Sequence, residues 1–388
     1  MWSQRRVGHL PLPYYGFETA EVTLGHGPAV GGDYRNWLET VHPEAVPLMR
    51  FEAGERPTSG AEQAAILDLP PELHYNTWVA DRSIAFLEQQ AGHDQPFYLH
   101  CSFPDPHHPY CPPRSWAARY PPTAMPVPSR REGELDDLPF FYRQTYEQGM
   151  QLSGRGRATR IADDQLRDIQ ALTSAMVSFV DEQFGRVLAS LGLLRLRENT
   201  VVVFTSDHGD MLGDHWMLNK GPFHFDGLLR VPHIWSWPGH FSRGVSSEAL
   251  VSLLDIAPTI LDLAGVAPLE GAAPQHPETP QELSALPGAL LTPLLRGERT
   301  SVQESVIVEN DEDYLGLRLR TIITDRYQMT IYPGQPFGEL FDRQEDPQQL
   351  QNRWADPGLA GVKVELTSEL LHRLALTDSR LPRRLCHA

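Results

Sequence analysis

"TVVVFTSDHGDMLGDHWMLNKGPF", residues 200–223, passes from a β-branched and aromatic run straight into acids, histidines and a single lysine. Val201, Val202, Val203 and Phe204 read as a central strand, since a short continuous apolar run suits a strand covered on both faces. Asp207 and His208 follow at once, and Gly209 lets the main chain turn there. Upstream, Ile169, Leu172, Met176, Val180, Phe184, Val187 and Leu191 recur at three- and four-residue spacing, predicting a helix over roughly 164–193. Earlier still, "WVADRSIAFLEQQ" (78–90) carries Val79, Ile84 and Leu87 in helical register behind a cap at Asn76 or Thr77. "PFYLHCSF" (96–103) reads as a buried strand and "VPHIWSW" (231–237) as another. Helices alternating with strands, and polar residues just past the strand ends, predict an α/β fold with its site at the carboxyl ends of the strands.

The remaining stretches fill in around this frame. The first sixty residues predict loops and short elements, and the proline-rich stretch 104–128 is too polar for core. "SLLDIAPTILDLAGV" (252–266) predicts a helix with Pro258 in its first turn, and 267–289 reads as a linker or surface excursion. Four short strands follow in "SVIVEN", "LRLRTIIT", "YQMTIY" and "GELFD", then a helix over roughly 362–374. The expected organisation is an α/β domain over 1–300 and an antiparallel sheet with a covering helix over 301–388.

A formal charge of −17 and a pI near 5.4 argue against a nucleic-acid or anionic-membrane partner, which would be repelled at long range. No run approaches the roughly 18 apolar residues of a membrane span, and the first residues lack the apolar region of a secretory signal. The sequence as written therefore predicts a soluble, cytoplasmic chain. Cys101, Cys111 and Cys386 are scattered and show neither a disulfide framework nor a zinc pattern. Lys220 and Lys363 are the only lysines, so Lys220 stands out as a compact ammonium in an arginine background; chance survival is the competing explanation.

Asp207 beside His208 offers one oxygen and one imidazole ligand, a pair suited to calcium, with manganese as the alternative. The plain alternative makes Asp207 a turn residue and His208 a solvated one. A second histidine-bearing stretch, "SFPDPHHPY" (102–110), is stiffened by Pro104, Pro106 and Pro109. One of its histidines could protonate a leaving oxygen, since imidazole titrates near neutrality; a rigid surface loop is the alternative.

Taken together, residues 204–223, "RVPHIWSWPG" (230–239), "SFPDPHHPY", "FVDEQFGRVL" (179–188), "SLLDIAPTILDLAGV" and "GELFDRQEDPQQLQNRW" (338–354) resemble, in order, the sulfatase family of the alkaline phosphatase superfamily. The resemblance implies an alkaline-phosphatase-like α/β sandwich around a large mixed sheet, a small C-terminal antiparallel subdomain, and hydrolysis of small anionic sulfate esters at a divalent cation. Asp207 and His208 resemble the later half of the family's metal site. Lys220 resembles the lysine that contacts the substrate anion, His107 the histidine near the leaving group, and His9 the end of a Gly-Lys-x-His segment in which Val7 replaces the lysine.

The family's paired aspartates and its Cys/Ser-x-Pro-Ser-Arg motif, the source of the formylglycine nucleophile, have no counterpart in this sequence. "CPPRS" from Cys111 puts Ser115 where arginine is required, and "PVPSR" puts Pro126 at the nucleophile position. The expectation is a chain that starts where a family member is already under way, with impaired turnover. Two alternatives stand beside it: a phosphonate monoester or phosphodiester hydrolase, and a non-catalytic anion binder or gene fragment.

Overall fold

Apolar periodicity places the long helices where the sequence predicts them, and each buries the stripe it was built on. The computed structural model describes residues 10–126, 128–148, 150–152, 155–157, 161–266, 286–311 and 316–378. The chain gathers into two units, Met1–Val127 with Ile161–Thr200, and Pro128–Arg160 with Val201–Ala388.

The longer helices of the first unit are α1 (Asp33–Val41), α2 (Tyr75–Gln90) and α3 (Asp163–Leu193). Within α3, Ile169, Leu172, Met176, Val180, Val187 and Leu191 are buried, while Phe184 of the same predicted stripe is half-buried. Phe179 of α3 meets the rings of His74, at the start of α2, and Trp116. The cap of α2 differs from expectation. His74 occupies it, with ring Nδ1 3.2 Å from the Asn76 amide. Burial lowers the His74 pKa to about 3, so the ring stays neutral and can accept. The first sixty residues, expected to be mainly loops, include α1, whose Tyr34 and Leu38 are fully buried.

Residues 96–103 are extended but carry no ladder among the described residues, so only alternate side chains (Phe97, Leu99, Cys101, Phe103) are half-covered while Tyr98 is 57% exposed. The proline-rich stretch contributes to the core, with Tyr110, Cys111 and Trp116 buried. Its prolines leave enough N–H and C=O groups for pairing beside 63–67: the Tyr110 amide donates to the Gln63 carbonyl at 2.7 Å and the Leu67 amide to the Pro112 carbonyl at 3.1 Å.

In the second unit, β1 (Val202–Thr205) pairs antiparallel with β2 (His233–Ser236), in register from Val202 opposite Ser236 to Thr205 opposite His233. With a single neighbour among the described residues, β1 is half-buried rather than the buried central strand expected, and Ile234 on β2 is 59% exposed. Helix α4 (Ile256–Leu263) begins behind a turn capped by Ser252, whose hydroxyl accepts from the Leu254 amide, and keeps Pro258 in its first turn. The linker expected over 267–289 lies largely outside the described residues, as does Cys386.

The C-terminal strands form the antiparallel meander that the sequence predicts: β3 (Ser305–Asn310), β4 (Leu319–Thr324), β5 (Tyr327–Ile331) and β6 (Gly338–Asp342), neighbours in that order. On one face Ile322, Met329 and Leu340 pack against Leu366 and Leu370 of α5 (Ala360–Asp378). On the other, Leu319 and Phe341 meet Met211, Met217, Phe223 and Phe225 and the helix residues Phe141 and Tyr142. Full burial of each such side chain contributes about 1.5–3 kcal/mol. The apolar residues threaded through 205–227 thus fasten that segment to the sheet. Among the described residues no helix is long and apolar enough to cross a membrane.

This second face also carries polar groups. The Thr321 and Thr330 hydroxyls lie 2.7 Å apart, with Thr321 Oγ1 2.7 Å from His224 Nδ1. Beside Thr330, Glu339 accepts from the Tyr332 hydroxyl at 2.5 Å through Oε1, and the buried Tyr142 hydroxyl neighbours the same carboxyl. Burial pushes the Glu339 pKa up to about 7. Folded Glu339 therefore holds a proton that the unfolded chain loses above about pH 4.5, and the stability this brings disappears as pH rises through 7. For Glu339→Gln, neutral at every pH and still able to accept from Tyr332, urea midpoints at pH 5 and pH 8 should differ less than in the parent, by up to about 3 kcal/mol equivalent. Equal pH sensitivity in both proteins would exclude a buried, proton-holding Glu339.

Candidate active site

Strand β1 ends at Thr205, and the next three residues turn back on themselves. The His208 amide donates to Asp207 Oδ1 at 3.0 Å, and the Ser206 hydroxyl lies 3.0 Å from the His208 carbonyl. Gly209 makes the turn possible by close approach: its amide donates to the Leu228 carbonyl at 2.8 Å, and a Cβ there would stand 2.1 Å from the Gly227 carbonyl oxygen. The turn leaves the Asp207 side chain 84% exposed and His208 partly covered.

The next ten residues return the chain to the same place. Leu212, His215, Trp216 and Asn219 all have left-handed backbones, with φ of 43°, 54°, 65° and 61°. Such a conformation in a non-glycine residue costs on the order of 1–3 kcal/mol. His215 pins the loop: its Nδ1 is 2.5 Å from Glu134 Oε1 with both side chains buried, and its ring stacks on Phe225 at 3.7 Å. The Ser129 carbonyl accepts from the His215 amide, and Asp214 Oδ1 accepts from the Ser129 amide. The second Asp-His pair of this stretch, Asp214-His215, is thus structural. Its role was missed in the sequence because Glu134 lies 81 residues away.

The loop delivers Lys220 to His208, with Nζ 2.7 Å from the imidazole Nε2. Asp207 Oδ2 lies 3.5 Å from that same nitrogen. The other ring nitrogen, Nδ1, is 2.7 Å from the Gly209 carbonyl, which can only accept, so Nδ1 carries the proton. Nε2 then presents its lone pair. Asp207, His208 and Lys220, separated by up to 13 positions in sequence, converge on one point.

In the first unit, His107 is sandwiched between two other imidazoles, with ring centroids 3.5 Å from His26 and 4.1 Å from His108. Its Nδ1 is 2.5 Å from the His108 carbonyl. The preceding Asp105 is buried and accepts from the Tyr75 hydroxyl and, at 2.7 Å, from the Asn76 side-chain amide; burial raises its pKa to about 7. Neither His26 nor Asp105 was singled out in the sequence, although Asp105 between two prolines and His26 between two glycines are the local signals that mark them. Cys111 is fully buried and its thiol is pushed up by burial, which makes it an inert packing residue. His9 lies outside the described residues.

Residues 36–266, more than half of the chain, match the sulfatase family. This chain belongs to the sulfatase family. Residues 213–375 of this sulfatase also match the family described as N-sulphoglucosamine sulphohydrolase, C-terminal. It is 29% identical over 300 residues to an uncharacterized sulfatase of Escherichia coli (strain K12), covering 76% of this chain and 55% of that protein. Choline-sulfatase of Rhizobium meliloti (strain 1021) is 28% identical over 305 residues, with 76% of this chain and 54% of that protein covered. The chain therefore spans little more than half the length of these two relatives. A phosphonate monoester hydrolase of Agrobacterium radiobacter has the same alkaline-phosphatase-like fold, with a TM-score of 0.72 at 26% identity, over 88% of this chain and 69% of that one.

The family is generally metal-dependent, and the donors of this sulfatase can be tested against that. A carboxylate and an imidazole whose far nitrogen is tied to a carbonyl form two proper ligands for a divalent cation, since that tie fixes the tautomer and aims Nε2. Among the described residues no group of three or more His, Cys, Asp or Glu side chains is placed to hold a metal. Asp207 and His208 thus fit a cation as two of its ligands. Gly209→Ala should lower stability by about 1–3 kcal/mol, because the new methyl group meets the Gly227 carbonyl. Guanidinium denaturation measures this, and an unchanged midpoint would mean the close approach is not needed.

Proposed function

We propose that this sulfatase-family chain grips a sulfate ester between a divalent cation, held by Asp207 and His208, and the ammonium of Lys220. The observation that carries the reading is the convergence of the three side chains, with Nε2 of His208 3.5 Å from Asp207 and 2.7 Å from Lys220. A bound cation, calcium or alternatively manganese, would polarise a sulfate oxygen as a Lewis acid. Lys220 supplies three donors and a full positive charge to the remaining oxygens. By family resemblance alone, His107 of the first unit is the candidate proton donor to a leaving oxygen.

Turnover by these residues alone is expected to be slow, since the sequence contains no Cys/Ser-x-Pro-Ser-Arg nucleophile motif. Phosphonate monoesters are the second reading, supported by the likeness to the Agrobacterium radiobacter enzyme. Both ester types present a tetrahedral oxyanion that the same lysine and cation would hold.

Calorimetric titration with calcium and with manganese, followed by inorganic sulfate and phosphate, tests the proposal. The expected outcome is saturable cation binding weakened at least tenfold by Asp207→Ala, and oxyanion binding weakened at least tenfold by Lys220→Ala. Robust metal-dependent hydrolysis of 4-nitrophenyl sulfate or a phenylphosphonate monoester, abolished by Lys220→Ala, would instead show that the chain completes the site from its own residues. The rate ratio of the two substrates would then decide between sulfur and phosphorus.

A further inference from the structure

Gly209 holds the turn that carries Asp207 and His208 at two points. Its carbonyl lies 2.7 Å from His208 Nδ1 and sets the direction of the imidazole, while its amide donates to the Leu228 carbonyl at 2.8 Å. The peptide between Gly227 and Leu228 packs directly on Gly209, so this turn is no better fixed than residues 226–229 beneath it. Those residues form one helical turn, Asp226–Leu229, closed by the Arg230 amide donating to the Asp226 carbonyl at 2.9 Å. A single turn does not hold itself, since the first hydrogen bond of a helix fixes several residues at once.

The support comes from the segment after β6. Gln349 Oε1 accepts from the Asp226 amide at 2.8 Å, and Arg343 Nη2 donates to Asp226 Oδ2 at 3.3 Å. Both holding residues are themselves fixed. The Arg343 amide donates to the Arg326 carbonyl at 2.7 Å and its Nη1 to the Thr324 carbonyl at 3.3 Å, at the hairpin joining β4 to β5. Gln349 is buried, with its amide donating to the Asp346 carbonyl at 3.0 Å. Arg230 also reaches Asp226 Oδ2, at 3.7 Å, but it is 71% exposed and such a pair contributes little.

We infer that Arg343 and Gln349 are positioning residues of the candidate cation site: through Asp226 and the Leu228 carbonyl they pass the rigidity of the C-terminal sheet to Asp207 and His208. The inference rests on the proposed roles of Asp207 and His208 and adds to them residues from a distant part of the chain. Partners that orient a metal ligand directly are commonly worth about 10–100-fold in affinity, and these two act from further out. For Arg343, charge and position predict opposite signs. Removing its guanidinium makes the chain more negative, which by Coulomb attraction alone tightens cation binding; loosening the turn weakens it.

The test is calorimetric titration of the full chain with calcium and with manganese, comparing the parent with Arg343→Met, Gln349→Met and Asp207→Ala at a temperature where urea midpoints show each to be folded. Hydrogen exchange at the Gly209 amide, with no cation added, is measured beside it. Both methionine variants should bind at least about fivefold more weakly and exchange Gly209 at least about tenfold faster than the parent, with the amides of β5 unchanged. Gln349→Met alters no charge and carries the test should Arg343→Met fail to fold. A role confined to stability would lower the urea midpoint and leave the dissociation constant where it was. Unchanged or tighter binding in the variants, or unchanged Gly209 exchange, beside Asp207-dependent binding in the parent, would overturn the positioning role and spare the site. No Asp207-dependent binding in the parent would overturn the site and the positioning role together.

Discussion

The buried contact between His215 and Glu134 holds a loop that would not otherwise keep its shape. Four left-handed non-glycine residues between 212 and 219 together store strain comparable to a small domain's net stability. A single buried hydrogen bond, whose loss costs on the order of 1–3 kcal/mol, does not outweigh that alone. The stack of His215 on Phe225, the exchange of hydrogen bonds with Ser129 and the Trp216 indole donating to the Arg131 carbonyl supply the rest. Phe225 in turn sits on Phe341 of the C-terminal sheet, so the geometry around Lys220 is inherited from a core distant in sequence.

The chain's net charge of −17 repels an anion at long range, so an anionic ligand would need short-range positive groups such as the Lys220 ammonium. In the proposed site Asp207 presents its carboxylate to solvent, 84% exposed, where a divalent cation would meet it.

Much of this was legible in the sequence. The meander of β3 to β6 followed its apolar and β-branched runs, and the long α3 stripe fell where three-and-four spacing put it. Asp207, His208 and Lys220 were legible because they sit within one short segment next to a strand. Glu134, Asp105 and His26 were not, since their importance comes from partners brought near by folding: His215 for Glu134, Tyr75 and Asn76 for Asp105, and His107 for His26. The cap of α2 was misread because a neutral, buried imidazole took a role usually filled by an alcohol or a short amide. Covered strands were expected at 96–103 and β1, but composition reports a liking for extended backbone and says nothing of how many neighbours the strand finds.

The extended segment 96–103 has one more consequence. Its amides make no ladder bonds among the described residues, although its side chains are those of a sheet interior. Among the described residues nothing pairs with its main chain, and an open extended edge beside Phe97, Leu99 and Phe103 is a template for strand addition by a second chain.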